Sequence, residues 1–159
     1  MSLLILQSLL GNPTKKTMLR PILLIEDNPM DVDLTIRAFN KRKFANPIEV
    51  ARNGAEALTW VAKWDAGEPQ PIVILLDLKL PKVSGLDVLK FLKAHTVYKA
   101  IPIVVLTTSS EDADVRTSYA YGVNSYIVKP VNFEKFVEVA EYIEVYWGTL
   151  NTPHNFDYA

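Results

Sequence analysis

Five side chains could do chemistry together: Glu26, Asp27, Asp77, Thr107 and Lys129, each standing just after or at the end of a short apolar run. The three carboxylates offer hard oxygen ligands of the kind Mg²⁺ takes, and Mn²⁺ accepts the same donors. Such a cation would offset the repulsion between an attacking carboxylate and an anionic phosphoryl donor, which is the main obstacle to moving a phosphoryl group onto an acid. Asp77 is the candidate nucleophile. The run before it, 72–76, is the most continuously apolar in the chain and so belongs at the centre of a sheet, and carboxylates are established covalent acceptors of phosphate. Lys129 could hold a phosphoryl oxygen as a point charge while Thr107 donates a hydrogen bond to another.

These residues converge only if the runs before them lie side by side. The segments 22–25, 48–51, 72–76, 103–106 and 125–128 are rich in β-branched residues and leucine with little polar interruption, the pattern of strands buried on both faces. Amphipathic stretches separate them. The first, 30–41, repeats Val32, Ile36 and Phe39 at helical spacing after Pro29, a good first helical residue. The second, 55–64, turns Ala57, Leu58 and Val61 inward and breaks at Gly67-Glu68-Pro69. Leu86, Leu89 and Leu92 mark a third over 86–94; the fourth, 111–121, is the least hydrophobic; the fifth, 133–147, shows Phe136, Val137, Ala140 and Ile143 on one face. Strand and helix alternating five times predict an α/β fold, a parallel sheet covered by helices, with functional groups at the carboxyl ends of the strands.

At 159 residues, 49% hydrophobic and 22% charged, the chain fits one domain with a real core. Seventeen basic against eighteen acidic residues leave a net charge of -1, so no overall field favours nucleic acid or a membrane surface. The basic stretch 40–43 reads as a solvated helix end. The absence of cysteine suits a reducing cytosol, so the expected location is cytoplasmic. The apolar run in 1–10 is too short to span a bilayer and is followed, not preceded, by Lys15, Lys16 and Arg20, unlike a signal peptide. Residues 1–19 are read as a leader outside the fold, with Met18 an alternative start, 20–147 as the domain, and 148–159 as a tail without periodicity. His95 and His154 are too few for a metal cluster and read as surface residues, His95 complementing a helix dipole. Tyr146 and Trp147 cannot both face inward, so one of them is available for pairing.

Four segments in order, Leu24-Ile25-Glu26-Asp27-Asn28, Leu76-Asp77-Leu78-Lys79-Leu80-Pro81 with Gly85, Leu106-Thr107-Thr108-Ser109 and Tyr126-Ile127-Val128-Lys129-Pro130, resemble the receiver domains of two-component response regulators. The resemblance covers about residues 20–147. It implies a doubly wound, flavodoxin-like (βα)5 fold with strand order 2-1-3-4-5. It also implies Asp77 as phosphoacceptor, a metal held by Glu26, Asp27, Asp77 and the backbone carbonyl of Lys79, and Lys129 on the phosphoryl group through a cis bond to Pro130. Thr107 and Tyr126 would form the switch pair, the hydroxyl moving toward phosphate as the ring turns inward. Lys79 and Ser109 occupy positions that in the family influence how fast the aspartyl phosphate hydrolyses.

Finer features, Pro29-Met30-Asp31-Val32, the segment 60–71 and the aromatic stretch 142–147, resemble the small single-domain regulators paired with bacteriophytochromes. That implies a sensor histidine kinase, such as a bacteriophytochrome, as partner, and a homodimer through strands and helices 4 and 5. Such a protein is a signalling phosphoacceptor, not a classical enzyme. A phosphatase forming an aspartyl phosphate would need a second aspartate two residues past the nucleophile, where Lys79 stands. A pseudo-receiver without phosphorylation is disfavoured because every reactive residue type is in place.

Overall fold

Alternate residues of each strand must point to opposite faces, and here both faces are covered. In the computed structural model, which describes residues 19–155, the strands are β1 (Ile22–Ile25), β2 (Ile48–Ala51), β3 (Val73–Leu76), β4 (Ile103–Thr107) and β5 (Ser125–Val128). The expected leader through residue 18 and the end of the tail, 156–159, lie outside the described residues. All pairings are parallel, in the order β2-β1-β3-β4-β5, so β3 is central and the order reverses between β1 and β3.

The helices are α1 (Pro29–Lys41), α2 (Gly54–Asp65), α3 (Gly85–Ala94), α4 (Asp112–Ala120) and α5 (Phe133–Ile143). Leu23, Ile25, Ile74, Leu76, Ile103 and Val105 face α2 and α3, packing on Trp60, Trp64, Leu89 and Leu92. Their neighbours Ile22, Leu24, Val73, Leu75, Val104 and Leu106 face α1 and α5, packing on Phe39, Phe136, Ala140 and Ile143. Each such side chain, fully buried, contributes about 1.5–3 kcal/mol. The result is the doubly wound, flavodoxin-like architecture expected.

Four helices start on a side-chain cap: Asn28, Asn53, Ser84 and Asn132 each accept a backbone N–H of the first turn, and Ser84 with Asp87 closes a capping box. The N-cap of α4, Glu111, makes no such bond, and α4 buries only Ser118. It is the least anchored helix, in line with its low hydrophobicity.

Two details differ from the sequence reading. The last helix was expected to run to 147; instead α5 ends at Ile143 and the chain continues as a π-helical segment, Glu144–Leu150. The wider turn lets Trp147 pack on the α1/α5 core while Tyr146 stays half exposed. It also brings Gly148 so close to Phe44 that a Cβ there would lie 3.0 Å from the ring. His95 is half-buried and not a free surface residue: its Nδ1 accepts the N–H groups of Val97 and Tyr98, both at 3.1 Å, and its ring stacks on Tyr98, so its place in the fold is to hold the short turn before β4.

Gly85 opens α3 where a Cβ would sit 2.1 Å from the backbone oxygen of Asp77 and 2.5 Å from Leu78 Cα. Only a bare backbone lets α3 dock under the end of β3. Gly85→Ala is expected to lower the unfolding free energy by about 1–3 kcal/mol, measured by urea denaturation; an unchanged midpoint would show that the loop yields freely.

Candidate functional site

The sheet ladder continues past the strand ends and brings the reactive residues to one rim. Glu26 N–H donates to Ala51 at 3.0 Å, Asp77 N–H to Ile25 at 3.0 Å, and Lys129 N–H to Thr107 at 2.7 Å. Glu26 is buried, Asp77 nearly so, and Asp27 is exposed at the mouth. Oxygens of all three lie within 4.8 Å of one another.

Each atom of the Asp77 carboxylate has a partner. Oδ1 accepts the Lys79 N–H at 3.0 Å and the Thr107 hydroxyl at 2.8 Å, while Oδ2 accepts Lys129 Nζ at 3.1 Å. The same ammonium donates to Glu26 Oε2 and to Asp31 Oδ2, the latter at 3.0 Å, so its three protons serve three carboxylates. Glu26 Oε1 accepts the Asn28 N–H at 3.0 Å.

Burial raises the Asp77 carboxyl, but the Lys79 amide, the Lys129 charge and the Thr107 hydroxyl outweigh it and hold the acid below its ordinary 3.8. Asp77 is therefore ionised at neutral pH, as a nucleophile must be. For Glu26 burial wins, pushing it from 4.5 up to about 7 despite its contact with Lys129. Lys129 responds oppositely: burial disfavours its charge, yet Glu26, Asp77 and Asp31 together raise it and keep it a cation. The partners differ because Lys129 faces several carboxylates and Glu26 a single ammonium.

Three carboxylates at one rim against one ammonium leave a negative excess and a hard-oxygen donor set, which fits a divalent ion such as Mg²⁺ or Mn²⁺. When bound, that ion would supply charge neutralisation at the phosphoryl oxygens.

The expected switch pair is also placed. The Tyr126 hydroxyl donates to the Ser109 carbonyl at 2.9 Å, with its ring partly buried against the α2/α3 core. Thr107 is fully buried and points at Asp77. The Lys129–Pro130 bond departs from the expectation: no peptide bond among the described residues is cis. Lys129 reaches the site through the trans form, which is the intrinsically favoured one.

Two residues were missed. Asp31 lies in the first turn of α1, where an acidic residue ordinarily serves the helix dipole, so nothing in the sequence marked it as a partner of Lys129. Asp114, in the first turn of α4, accepts the Ser109 hydroxyl at 2.5 Å; nothing in the sequence marked that pair.

Fold and rim together define a receiver, and comparison with known proteins agrees. The model of the response regulator receiver domain matches residues 22–141, and the chain belongs to that family. It is 44% identical over 127 residues to the probable methanogenesis regulatory protein FilR2 of Methanothrix harundinacea, covering 79% of this chain and 82% of that one. It is 36% identical over 135 residues to the response regulator Rcp1 of Synechocystis, covering 83% and 92%. The Mn²⁺-bound form of Rcp1 superposes with a TM-score of 0.77 at 33% identity over 86% of this chain and 99% of that one. The phosphorylated cyanobacterial phytochrome response regulator RcpA gives 0.80 at 34% identity, with the same coverage. The bacteriophytochrome response regulator AtBRR gives 0.67 at 46%, over 84% and 99%. The resemblance to single-domain, phytochrome-associated regulators read from the sequence therefore holds.

The Glu26 shift has a sign that can be checked on metal-free protein. Between 4.5 and about 7 the unfolded chain has lost the Glu26 proton while the folded one keeps it, so this group's contribution falls as pH rises through that window. In EDTA, Tm of Glu26→Gln relative to wild type should rise across this interval and level off above it. A difference independent of pH would mean that Glu26 is ionised throughout.

Proposed function

We propose that this protein is a stand-alone response regulator of a two-component phosphorelay, taking a phosphoryl group from a sensor histidine kinase onto Asp77. The observation that carries this is the Asp77 carboxylate, kept ionised and met on separate oxygens by Lys129 and Thr107. A carboxylate so placed attacks phosphorus with Oδ2 or Oδ1, and the donor nitrogen leaves. Lys129 then pairs with the phosphoryl group and the Thr107 hydroxyl donates to it. Glu26, Asp27, Asp77 and the Lys79 carbonyl hold Mg²⁺ or Mn²⁺, a reading supported by their donor chemistry and by the Mn²⁺-bound form of the relative Rcp1. The chain acts as a signalling phosphoacceptor, catalysing only its own phosphorylation and dephosphorylation.

The kinase is of the phytochrome class, the inference drawn from the phytochrome regulators RcpA and AtBRR. Among the described residues no helix is long and apolar enough to cross a membrane, and the chemistry fits a cytoplasmic protein that contacts neither membrane nor nucleic acid. Residues 20–147 act as the receiver domain, between a leader and a C-terminal tail.

Output follows from a shift between two conformations. As Thr107 turns toward phosphate, Tyr126 gives up the Ser109 carbonyl and its ring moves inward. The surface that reports this is apolar: Tyr119, Val128, Tyr142, Val145 and Tyr146 are each at least two-fifths exposed. A groove of about 440 Å³ opens there between β5 and the end of α5, beside Tyr142, Tyr146 and Trp147. A second copy of the chain pairs on this face.

Incubation with phosphoramidate and Mg²⁺ should add one phosphoryl group by intact mass, and both EDTA and Asp77→Asn should abolish it. Uptake by Asp77→Asn would refute the assignment. Tyr142→Glu combined with Tyr146→Glu should give a monomer in sedimentation with phosphorylation intact; a dimer of wild-type affinity would move the interface elsewhere.

A further inference from the structure

We infer that Asp31 is a positioning residue for phosphoryl transfer: it anchors the Lys129 ammonium while Lys129 exchanges its other partners for the phosphoryl group. This rests on the receiver reading above. Lys129 Nζ has three protons and three carboxylate partners, Glu26, Asp31 and Asp77. A phosphoryl oxygen can be bound only if one of the three gives way. Glu26 and Asp77 belong to the cluster of oxygens within 4.8 Å that suits a cation, and Asp77 is itself the carboxylate to be converted to the acyl phosphate. Both are drawn away from Lys129 during the reaction. Asp31 lies outside that cluster.

Its position suits the task. The side chain of Asp31 is 31% exposed, against 2% for Glu26 and 9% for Asp77, so it holds the ammonium from the solvent side while the others hold it from within. Its backbone is fixed in the first turn of α1, where Asn28 caps the helix, Pro29 occupies the first position, and the Asp31 carbonyl accepts the Thr35 hydroxyl at 2.7 Å. A lysine on four rotatable carbons is a poorly directed cation unless something directs it. Asp31 supplies that direction and is the single carboxylate of the three that the chemistry leaves untouched.

Charge and positioning can be separated. Asp31→Asn keeps an oxygen for Lys129 and loses the charge, whereas Asp31→Ala loses both. With phosphoramidate the Asp77 O–P bond forms, the P–N bond breaks, and the already protonated nitrogen leaves as ammonia. At saturating donor and Mg²⁺, Asp31→Ala should lower the maximal rate about tenfold and Asp31→Asn by no more than about threefold. Mn²⁺ affinity without donor, followed by electron paramagnetic resonance, should fall equally in both, since it senses charge. A second readout is the ¹⁵N resonance of the Lys129 ammonium, assigned by its loss in Lys129→Met. It should stay sharp in wild type and Asp31→Asn but broaden in Asp31→Ala when Mg²⁺ and beryllofluoride are bound. Equal rates for Asp31→Ala and wild type, or Asp31→Asn as slow as Asp31→Ala, would overturn the inference. Wild type that takes up no phosphoryl group would instead sink the receiver reading.

Discussion

One buried ammonium holds the rim together. Lys129 is 6% exposed at its side chain and stands among Glu26, Asp31 and Asp77, carboxylates that would repel one another without it. A buried ion costs several kcal/mol of desolvation, and the cost is offset only when every hydrogen bond is made. Here all three ammonium protons are used and Asp77 has partners on both oxygens. The arrangement still carries more negative than positive charge. Burial raises Glu26 to about 7 despite the ammonium, and the remaining negative excess on these oxygens suits a divalent cation.

The sheet brings these charges within reach of one another. Parallel strands end at the same rim, and the reversal of order between β1 and β3 opens the space above Asp77. The strands themselves carry no charge inward: β1, β3 and β4 are buried throughout, and polarity begins at the residue where each runs out. Close packing below supports the loops above. Gly85 lies against the Asp77 carbonyl, and its N–H donates to the Leu78 carbonyl at 3.0 Å, so the start of α3 and Asp77 share one backbone scaffold.

The strands were legible because buried parallel strands leave an apolar signal, whereas their order came from the family resemblance; the five candidate side chains stood out because each lies at the end of such a run. Asp31 was not, since it belongs to a helix face where an aspartate usually serves the dipole. The π-helical end was hidden for a different reason: Val145, Tyr146 and Trp147 fit helical spacing, and the packing of this segment against the ring of Phe44, about a hundred residues earlier, is a long-range contact that local spacing does not report. The cis bond to Pro130 came from family likeness alone, and nothing in the residues around it demanded that isomer.

A weakly held helix beside a tightly held site is what a signalling element requires, because a local event must move something at small cost. Of the five α-helices among the described residues, α1, α2, α3 and α5 are capped by a side chain of their own N-cap residue, and α4 lacks such a cap. In its place stands Ser109, 3% exposed, whose hydroxyl donates to Asp114 in the first turn of α4, whose carbonyl accepts Tyr126, and whose amide approaches Thr107 Oγ1 at 3.4 Å. Thr107 in turn donates to Asp77. The start of α4 is thus fastened through Ser109 to the same hydroxyl that donates to Asp77. Under the proposed function, a turn of Thr107 toward a new phosphoryl group would alter the position of Ser109, and with it both the start of α4 and the acceptor of Tyr126.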